Sequence, residues 1–310
     1  MSENAPSRTR IVAAFAAIYL IWGSTYLGIR FAIETIPPFL MGGVRFMIAG
    51  AVLYLWMRAR GEQRPSMLHW RSAAIVGGFL ILGGNGAVVW AEQFVPSGMA
   101  ALLVATLPFW IVLIDWLGPG HARPSLGIAI GLVVGIAGIF VLVGPAALHP
   151  TNVSGSGILK GALALNAGSL SWALGTVYAR HAKLPRSALV ATGMEMLCGG
   201  ALLFLLALIT REPMDFDPAS VSARSIAGFI YLTTIGSLVG FTAFIWLIQH
   251  QPPSRVSTYA YVNPVVAVFL GWALAGEPLT LRTVIAAAII IGAVALITTA
   301  RSSSPLPEPD

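Results

Sequence analysis

The chain has 310 residues, of which 57% are hydrophobic and only 10% are charged, and its mean hydropathy is +0.82. A soluble domain carries about 25% charged residues, so this composition excludes a water-soluble globular protein and indicates a membrane protein. The formal net charge of +6 does not indicate nucleic-acid binding, because basic residues between apolar segments report membrane orientation instead.

Ten apolar segments have about the 20 residues that a membrane-spanning helix requires, and we therefore predict an all-α membrane protein with ten transmembrane helices. The first segment follows two arginines like a signal peptide, but it is long enough to span and to be retained. The segments are residues 11–29, 39–57, 72–91, 98–117, 126–144, 157–179, 188–209, 225–249, 256–275 and 283–300. The Ser- and Pro-rich end, residues 301–310, is predicted to be a disordered tail.

Basic residues favour one orientation of these spans. With ten spans, twelve of the 18 Lys and Arg residues fall on the side of the N-terminus, five fall on the opposite side, and Arg45 lies within a span. Cytoplasmic loops carry the excess of Lys and Arg, so this distribution predicts that both termini are cytoplasmic.

The stretch 84–120 recurs 156 positions later at 240–276 without a gap. Nine of the 37 positions are identical, and two of these nine are tryptophans, which are rare residues. The identical pairs are Gly84/Gly240, Ala87/Ala243, Trp90/Trp246, Gln93/Gln249, Pro96/Pro252, Pro108/Pro264, Val112/Val268, Trp116/Trp272 and Gly120/Gly276. The sequences at the start of the two halves also match, at an offset of 150 positions, where Trp22 corresponds to Trp172. The chain is therefore interpreted as one duplicated unit.

Each copy of the unit contains five predicted spans, the first over residues 11–144 and the second over residues 157–300. Because five is odd, the second copy enters the membrane from the opposite side, and the two copies form an inverted repeat. This arrangement is common among secondary transporters, which hold substrate near the midplane between the repeats. The sequence therefore predicts a carrier that works by alternating access.

Four short motifs resemble those of a known family: IWGSTY at 21–26, GVRF at 43–46, YVNPV at 261–265 and GEP at 276–278. They are similar to motifs of the EamA family of the drug/metabolite transporter superfamily, and the resemblance covers roughly residues 11 to 300. It implies a ten-helix inner-membrane carrier that exports amino acids, related metabolites or drugs; the aromatic amino-acid exporter is one member. The chain departs from the family in having His121 where the second half has Glu277, which argues against a role that needs both acids.

Two charged residues, Arg45 and Glu195, lie within spans and occupy equivalent positions of the two repeats. A charge in mid-membrane costs about 2.5–3.5 kcal/mol on insertion scales, so each needs a partner or water. Either residue could bind a zwitterionic substrate, or Glu195 could carry a proton; local structural pairing remains the alternative for both. The acids at span ends, including Glu92 and Glu277, are interpreted as solvated helix ends.

Aromatic and polar residues inside the spans are the candidate substrate-binding residues, because small-ligand pockets are apolar with a few placed polar groups. Trp22 and Trp172 lie well inside their spans rather than at the interfaces, where tryptophans usually gather. Tyr259 and Asn263 are four residues apart and share a helix face. The predicted set is Trp22, Thr25, Tyr26, Asn85, Trp172, Thr176, Tyr259 and Asn263. Interhelical hydrogen bonding is an equal alternative for Asn85.

Pro108 and Pro264 occupy matching positions in the fourth and ninth spans. Each removes a backbone donor and frees the carbonyl four residues earlier. Interrupted helices at corresponding positions of two repeats point to the substrate path, so both prolines are predicted hinges. A static kink that improves packing is the alternative.

Together these features predict an inner-membrane exporter of small metabolites, with neutral or aromatic amino acids as substrates. The five histidines have no metal-ligand spacing, and no P-loop or nucleophile elbow occurs, so we expect no enzyme activity, cofactor or metal. The expected partners are the small-molecule substrate and the lipid bilayer, with protons as a candidate coupling ion. A multidrug exporter for apolar cations, a lipid-modifying membrane enzyme and a passive channel are the alternatives.

Overall fold

The computed structural model of the chain describes residues 7–117, 125–144, 153–251, 253–256 and 258–302, so His121 and most of the predicted tail lie outside the described residues. The described residues are almost entirely helical and contain no strand. The longer helices are α1 (Arg8–Ala32), α2 (Pro38–Ala59), α3 (Met67–Ala91), α4 (Ser97–Leu117), α5 (Leu126–Val143), α6 (Val153–Ala179), α7 (Ala188–Ile209), α8 (Ala223–His250), α9 (Tyr259–Ala275) and α10 (Leu281–Ser302). Short helical turns occupy Pro218–Ser220 and Pro253–Val256.

Eight of these described helices are long and apolar enough to cross a membrane: α1 to α5, α7, α8 and α10. The other two are α6, with 27 residues, and α9, with 17 residues. Each helix overlaps one of the ten predicted segments. The all-α membrane fold predicted from composition is thereby confirmed.

A carboxylate from a distant connection stabilises the first turn of α2. The Phe39 and Leu40 amides donate to the two Glu212 carboxylate oxygens at 3.2 and 2.7 Å. These amides have no partner within the helix, and a negative charge at a helix N-terminus also interacts favourably with the helix dipole. Glu212 therefore links the end of α7 to the beginning of α2.

Removal of this cap by Glu212→Ala is expected to lower the free energy of unfolding by about 1 kcal/mol, as for other N-terminal caps. Thermal unfolding of the purified protein in detergent measures the change. Asp215→Ala is the matched control, because Asp215 is exposed in the same connection. Equal losses in the two variants would show that the Glu212 hydrogen bonds contribute no stability.

Helices α3 and α8 each contain a π-helical segment, at Gly78–Asn85 and Leu232–Val239 respectively. The two segments lie 154 positions apart, close to the repeat offset, so they occupy corresponding places in the two copies. A π-helical turn is wider than an α-helical turn, shifts the side chains that follow it and often marks a functional site. Both segments face the interior of the bundle described below.

Equivalent helices of the two copies pack against each other: α2 against α7, and α5 against α10. Helices α2 and α7 are antiparallel, since Gly43 lies opposite Phe204 while Gly50, further along α2, lies opposite Leu197. Helices α5 and α10 are antiparallel as well, since Gly131 lies opposite Ile297 and Gly138 opposite Ile290. The contact at Gly43 is backbone to backbone, and an added Cβ would lie 2.7 Å from the Phe204 nitrogen. Helix α1 packs on α8 and α9 of the second copy, and α6 packs in the same way on α3 and α4 of the first.

Candidate functional site

A central cavity of about 150 Å³ lies where α1, α2, α3, α4, α6, α8 and α9 meet. A cavity of this size accommodates a ligand as large as benzene. The structure brings eight of the predicted residues together in its lining: Trp22, Thr25, Tyr26, Arg45, Asn85, Trp172, Tyr259 and Asn263. They come from both copies of the repeat, so the cavity lies between the halves.

Aromatic side chains form much of the cavity wall. The Trp22 ring lies edge-on to Tyr259 and Phe241, with centroid distances of 5.2 and 5.3 Å, and 4.8 Å from Phe244. Edge-to-face contacts at such distances are favourable for aromatic rings and hold them in one orientation. The Trp22 ring is thereby positioned by residues of α8 and α9, which belong to the second copy.

The two predicted tryptophans are accommodated by glycines of the opposite copy. A Cβ added at Gly84 would lie 2.6 Å from Cε3 of Trp172, and one added at Gly240 would lie 2.6 Å from Nε1 of Trp22. Gly84 lies within the π-helical segment of α3, whereas Gly240 follows that of α8. The identities Trp22/Trp172 and Gly84/Gly240 in the sequence therefore describe one reciprocal contact that occurs twice.

Arg45 is the one charged residue in the described lining of this cavity, and its exposed fraction is only 3%. Its Nε donates to the Ser237 hydroxyl at 3.2 Å, and the guanidinium lies over the Phe46 ring at 4.4 Å. Its Nη1, however, has no hydrogen-bond partner. A buried guanidinium with an unpaired donor lacks a partner that a carboxylate can supply, since Arg–carboxylate hydrogen bonds are among the strong ones.

Several polar lining residues already bond to backbone. Asn85 Nδ2 donates to the Leu80 carbonyl at 3.4 Å, and Thr25 Oγ1 donates to the Trp22 carbonyl at 2.7 Å. In the amide orientation that satisfies its neighbours, Asn263 donates to the Tyr19 and Tyr259 carbonyls at 3.2 and 3.3 Å. These bonds hold the side chains in place.

Sequence reasoning missed two serines of the site. Ser169 lines the cavity with a buried hydroxyl that has no partner, and Ser237 is the residue that Arg45 contacts. Ser169 precedes Trp172 by three residues and so shares its helix face, a signal that was available in the sequence. Ser237 carries no such signal, because only the packing of α8 on α2 brings it to Arg45. Among the described residues, no group of three His, Cys, Asp or Glu side chains could hold a metal ion.

A second cavity of about 210 Å³ adjoins the first and shares Tyr26, Tyr259 and Asn263 with it. Both predicted hinge prolines, Pro108 and Pro264, line this second cavity. The backbone differs at the two prolines. Helix α4 is interrupted at residues 105–106, so that Pro108 lies in the first turn of a new helical segment, where its missing amide is not required. Helix α9 continues through Pro264, so the predicted interruption is absent there.

Two predicted residues lie outside both described cavity linings. Thr176 bonds its own helix, donating to the Trp172 carbonyl at 2.8 Å, and the preceding Gly175 packs directly on α3. Glu195 is half-buried on α7 and takes no part in either lining, so only one of the two intramembrane charges belongs to the site. The structure thus separates Arg45 from Glu195.

The interpretation of Glu92 and Glu277 as solvated helix ends is wrong. Glu92 is fully buried, and neither of its carboxyl oxygens has a partner. The half-buried Glu277 accepts hydrogen bonds from the Ser97 and Gly98 amides at 2.7 and 3.1 Å and so caps α4. Both residues do follow helix ends, but contacts between the two halves cover them there.

A bundle of apolar helices around an aromatic cavity, with Arg45 as the one charged residue of its described lining, favours a membrane transport protein. The sequence pattern of the EamA-like transporter family matches residues 9–144 and again residues 159–299. The chain belongs to this family, and its membership favours transport over an enzymatic function.

Relatives along the whole chain carry transporter names. The chain is 38% identical to the "uncharacterized inner membrane transporter YedA" of Escherichia coli (strain K12), over 93% of this chain and 90% of that protein. It is 23% identical to the "uncharacterized transporter YoaV" of Bacillus subtilis (strain 168), with 91% and 94% covered. A solved structure at 24% identity covers 94% of this chain and 99% of its own, with a TM-score of 0.63, and it supports the fold alone.

Proposed function

We propose that the protein is a secondary carrier that exports small amphipathic carboxylates, with neutral and aromatic amino acids as the main substrates. Arg45 is the observation that carries this proposal. Its guanidinium is buried in the cavity wall with Nη1 unpaired, and the rest of the described lining has no acidic residue to neutralise it. A carboxylate supplied by the substrate would give this charge its partner.

The remainder of the cavity suits an aromatic side chain. Trp22, Trp172 and Phe241 provide flat apolar surfaces, and the cavity has the volume of one aromatic ring. An apolar cation would meet the positive charge of Arg45 with no acid beside it in the described lining. This argues against the multidrug exporter, which would rely on the distant Glu195. A substrate ammonium group would rest on aromatic faces and carbonyls instead.

We infer that ten spans form two inverted repeats, over residues 11–144 and 157–300. The antiparallel packing of α2 on α7 and of α5 on α10 supports this, because an inversion reverses each helix relative to its equivalent. Exchange of the roles of the halves would then open the cavity to alternate sides. Pro108 would act as a hinge at the break in α4, and Pro264 within the continuous α9, where its missing amide leaves one helical hydrogen bond unmade. The name of the Escherichia coli relative and the charge distribution support the inner membrane, with both termini cytoplasmic.

Counterflow in proteoliposomes tests the proposal. Vesicles are loaded with unlabelled compounds, and uptake of labelled phenylalanine is followed. Loaded phenylalanine is expected to drive uptake beyond equilibrium, whereas phenylalaninamide and phenethylamine, which lack the carboxylate, are expected to drive none. An overshoot with phenethylamine alone would favour the cation exporter. Flux without any exchange between substrates would indicate a channel.

A further inference from the structure

Glu92 combines complete burial with a carboxyl group that has no hydrogen-bond partner. It follows Ala91, the last residue of α3, and its exposed fraction is 0%. Its backbone carbonyl accepts a hydrogen bond from Arg30 Nη1 at 2.7 Å, but neither carboxyl oxygen accepts one. An ionised carboxylate in such a position is strongly unfavourable, whereas a protonated carboxyl removes most of that penalty.

The charged and titratable groups around Glu92 come from three elements. Arg30 and Tyr26 lie on α1, and Glu277 lies in the connection from α9 to α10. Lys160 of α6 is exposed beside the close contact between α6 and Ala91. Burial raises the pKa of Glu92 well above its usual range, the negative charge of Glu277 raises it further, and Arg30 opposes these effects in part.

The same end of the bundle holds the two halves together. Glu277 of the second copy accepts hydrogen bonds from the first amides of α4 in the first copy, so its side chain joins the two halves. Beside them, a Cβ added at Gly98 would lie 3.0 Å from the Val268 backbone of α9. Separation of the halves at this joint would expose Glu92 to water, where its carboxyl would ionise as an ordinary glutamate.

We propose that Glu92 is a proton-binding site whose protonation closes the cavity at the end where α3 meets α4. The proposal rests on the transport function proposed above, since it assigns the proton to one of the two alternating conformations. The closed form binds the proton more tightly than the open form. Acidification therefore favours closure at this end, and a pH above the raised pKa favours opening.

Distance measurements between spin labels test the site without any substrate. One label replaces the exposed Gln93 and the other the exposed Leu279, on opposite sides of the joint, after the single cysteine has been removed by Cys198→Ser. In the protein that retains Glu92, the distance between the two labels is expected to shift from mainly short to mainly long as the pH is raised from about 5 to about 9. Glu92→Gln is expected to hold the short distance throughout, because the amide imitates the protonated carboxyl.

Glu34→Gln is the matched control, since Glu34 lies at the same end of the bundle but is partly exposed and paired with Arg224 at 3.1 Å. Glu34→Gln is expected to keep the wild-type pH dependence of the distance. Glu92→Asp is expected to retain a pH response, but with a different midpoint pH. A distance that does not change with pH in the wild type, or a pH response retained in Glu92→Gln, would overturn the site. Neither result would affect the counterflow assay, so failure of the proton site is distinguishable from failure of the transport function.

Discussion

Replacement of Arg45 with methionine is expected to lower the affinity for an aromatic amino acid at least about 30-fold, because loss of one partner of a buried charge pair costs about 2–5 kcal/mol. The substrate-free protein is expected to become no less stable. Its guanidinium is buried with Nη1 unpaired, and an apolar side chain of similar length removes that desolvation penalty. Binding is measured by the substrate-induced rise in the unfolding temperature and by counterflow.

The combination of lost affinity with retained stability separates a binding residue from a structural one. A purely structural arginine would lower stability on removal. Arg60→Met is the matched control, because Arg60 terminates the same helix and lies over the Trp56 ring at 4.6 Å, but is exposed. It is expected to leave binding unchanged. Arg45→Lys should bind at least about tenfold more weakly, since an ammonium cannot form the bidentate pair.

The membrane fold and most of the cavity could be predicted because both depend on properties that the sequence carries locally. Apolar length determines where helices span, and duplication brings equivalent residues of the two copies to one axis. Trp22 and Trp172 were identified because they lie too deep for the membrane interface. Arg45 was identified because a charge within the membrane is energetically costly and needs a partner or water.

The residues that the sequence did not reveal depend on contacts between the halves. Glu92 reads as a helix end next to a polar connection, and only the packing of α1, α6 and the Glu277 connection removes it from water. Glu195 looks equivalent to Arg45 by repeat position, yet only Arg45 faces the cavity. The π-helical segments could not be predicted from the sequence either, because their wider turns change neither its composition nor its hydrophobic periodicity.

A methyl group added at either of the reciprocal glycines is expected to impair transport strongly. Alanine is favoured over glycine in a helix by about 1 kcal/mol, so helix propensity alone predicts that Gly84→Ala and Gly240→Ala stabilise the protein. The close packing of each glycine against a tryptophan ring predicts that both substitutions destabilise the protein instead. The new Cβ would lie 2.6 Å from the Trp172 ring in one case and from the Trp22 ring in the other. Overpacking of this kind costs about 1–3 kcal/mol unless the ring moves.

Both tryptophan rings line the cavity, so a ring that moved away from the new methyl group and into the cavity would narrow the substrate site. We expect each variant to lower the counterflow rate at least about tenfold, which corresponds to about 1.4 kcal/mol and lies within that energetic range. Gly78→Ala is the matched control, because Gly78 begins the same π-helical segment as Gly84 and an added Cβ there meets only Leu202 at 3.5 Å. It is expected to transport normally.

The two glycine variants also test whether the two halves of the protein contribute equally to transport. Gly84 receives a tryptophan from the second copy and Gly240 receives one from the first, so a carrier that exchanges the roles of its halves uses both contacts in each cycle. The two variants should then have similar effects on transport. A large loss from Gly84→Ala with normal transport by Gly240→Ala would contradict this, since it would assign the substrate to the Trp172 side alone and leave the Trp22 contact a matter of packing.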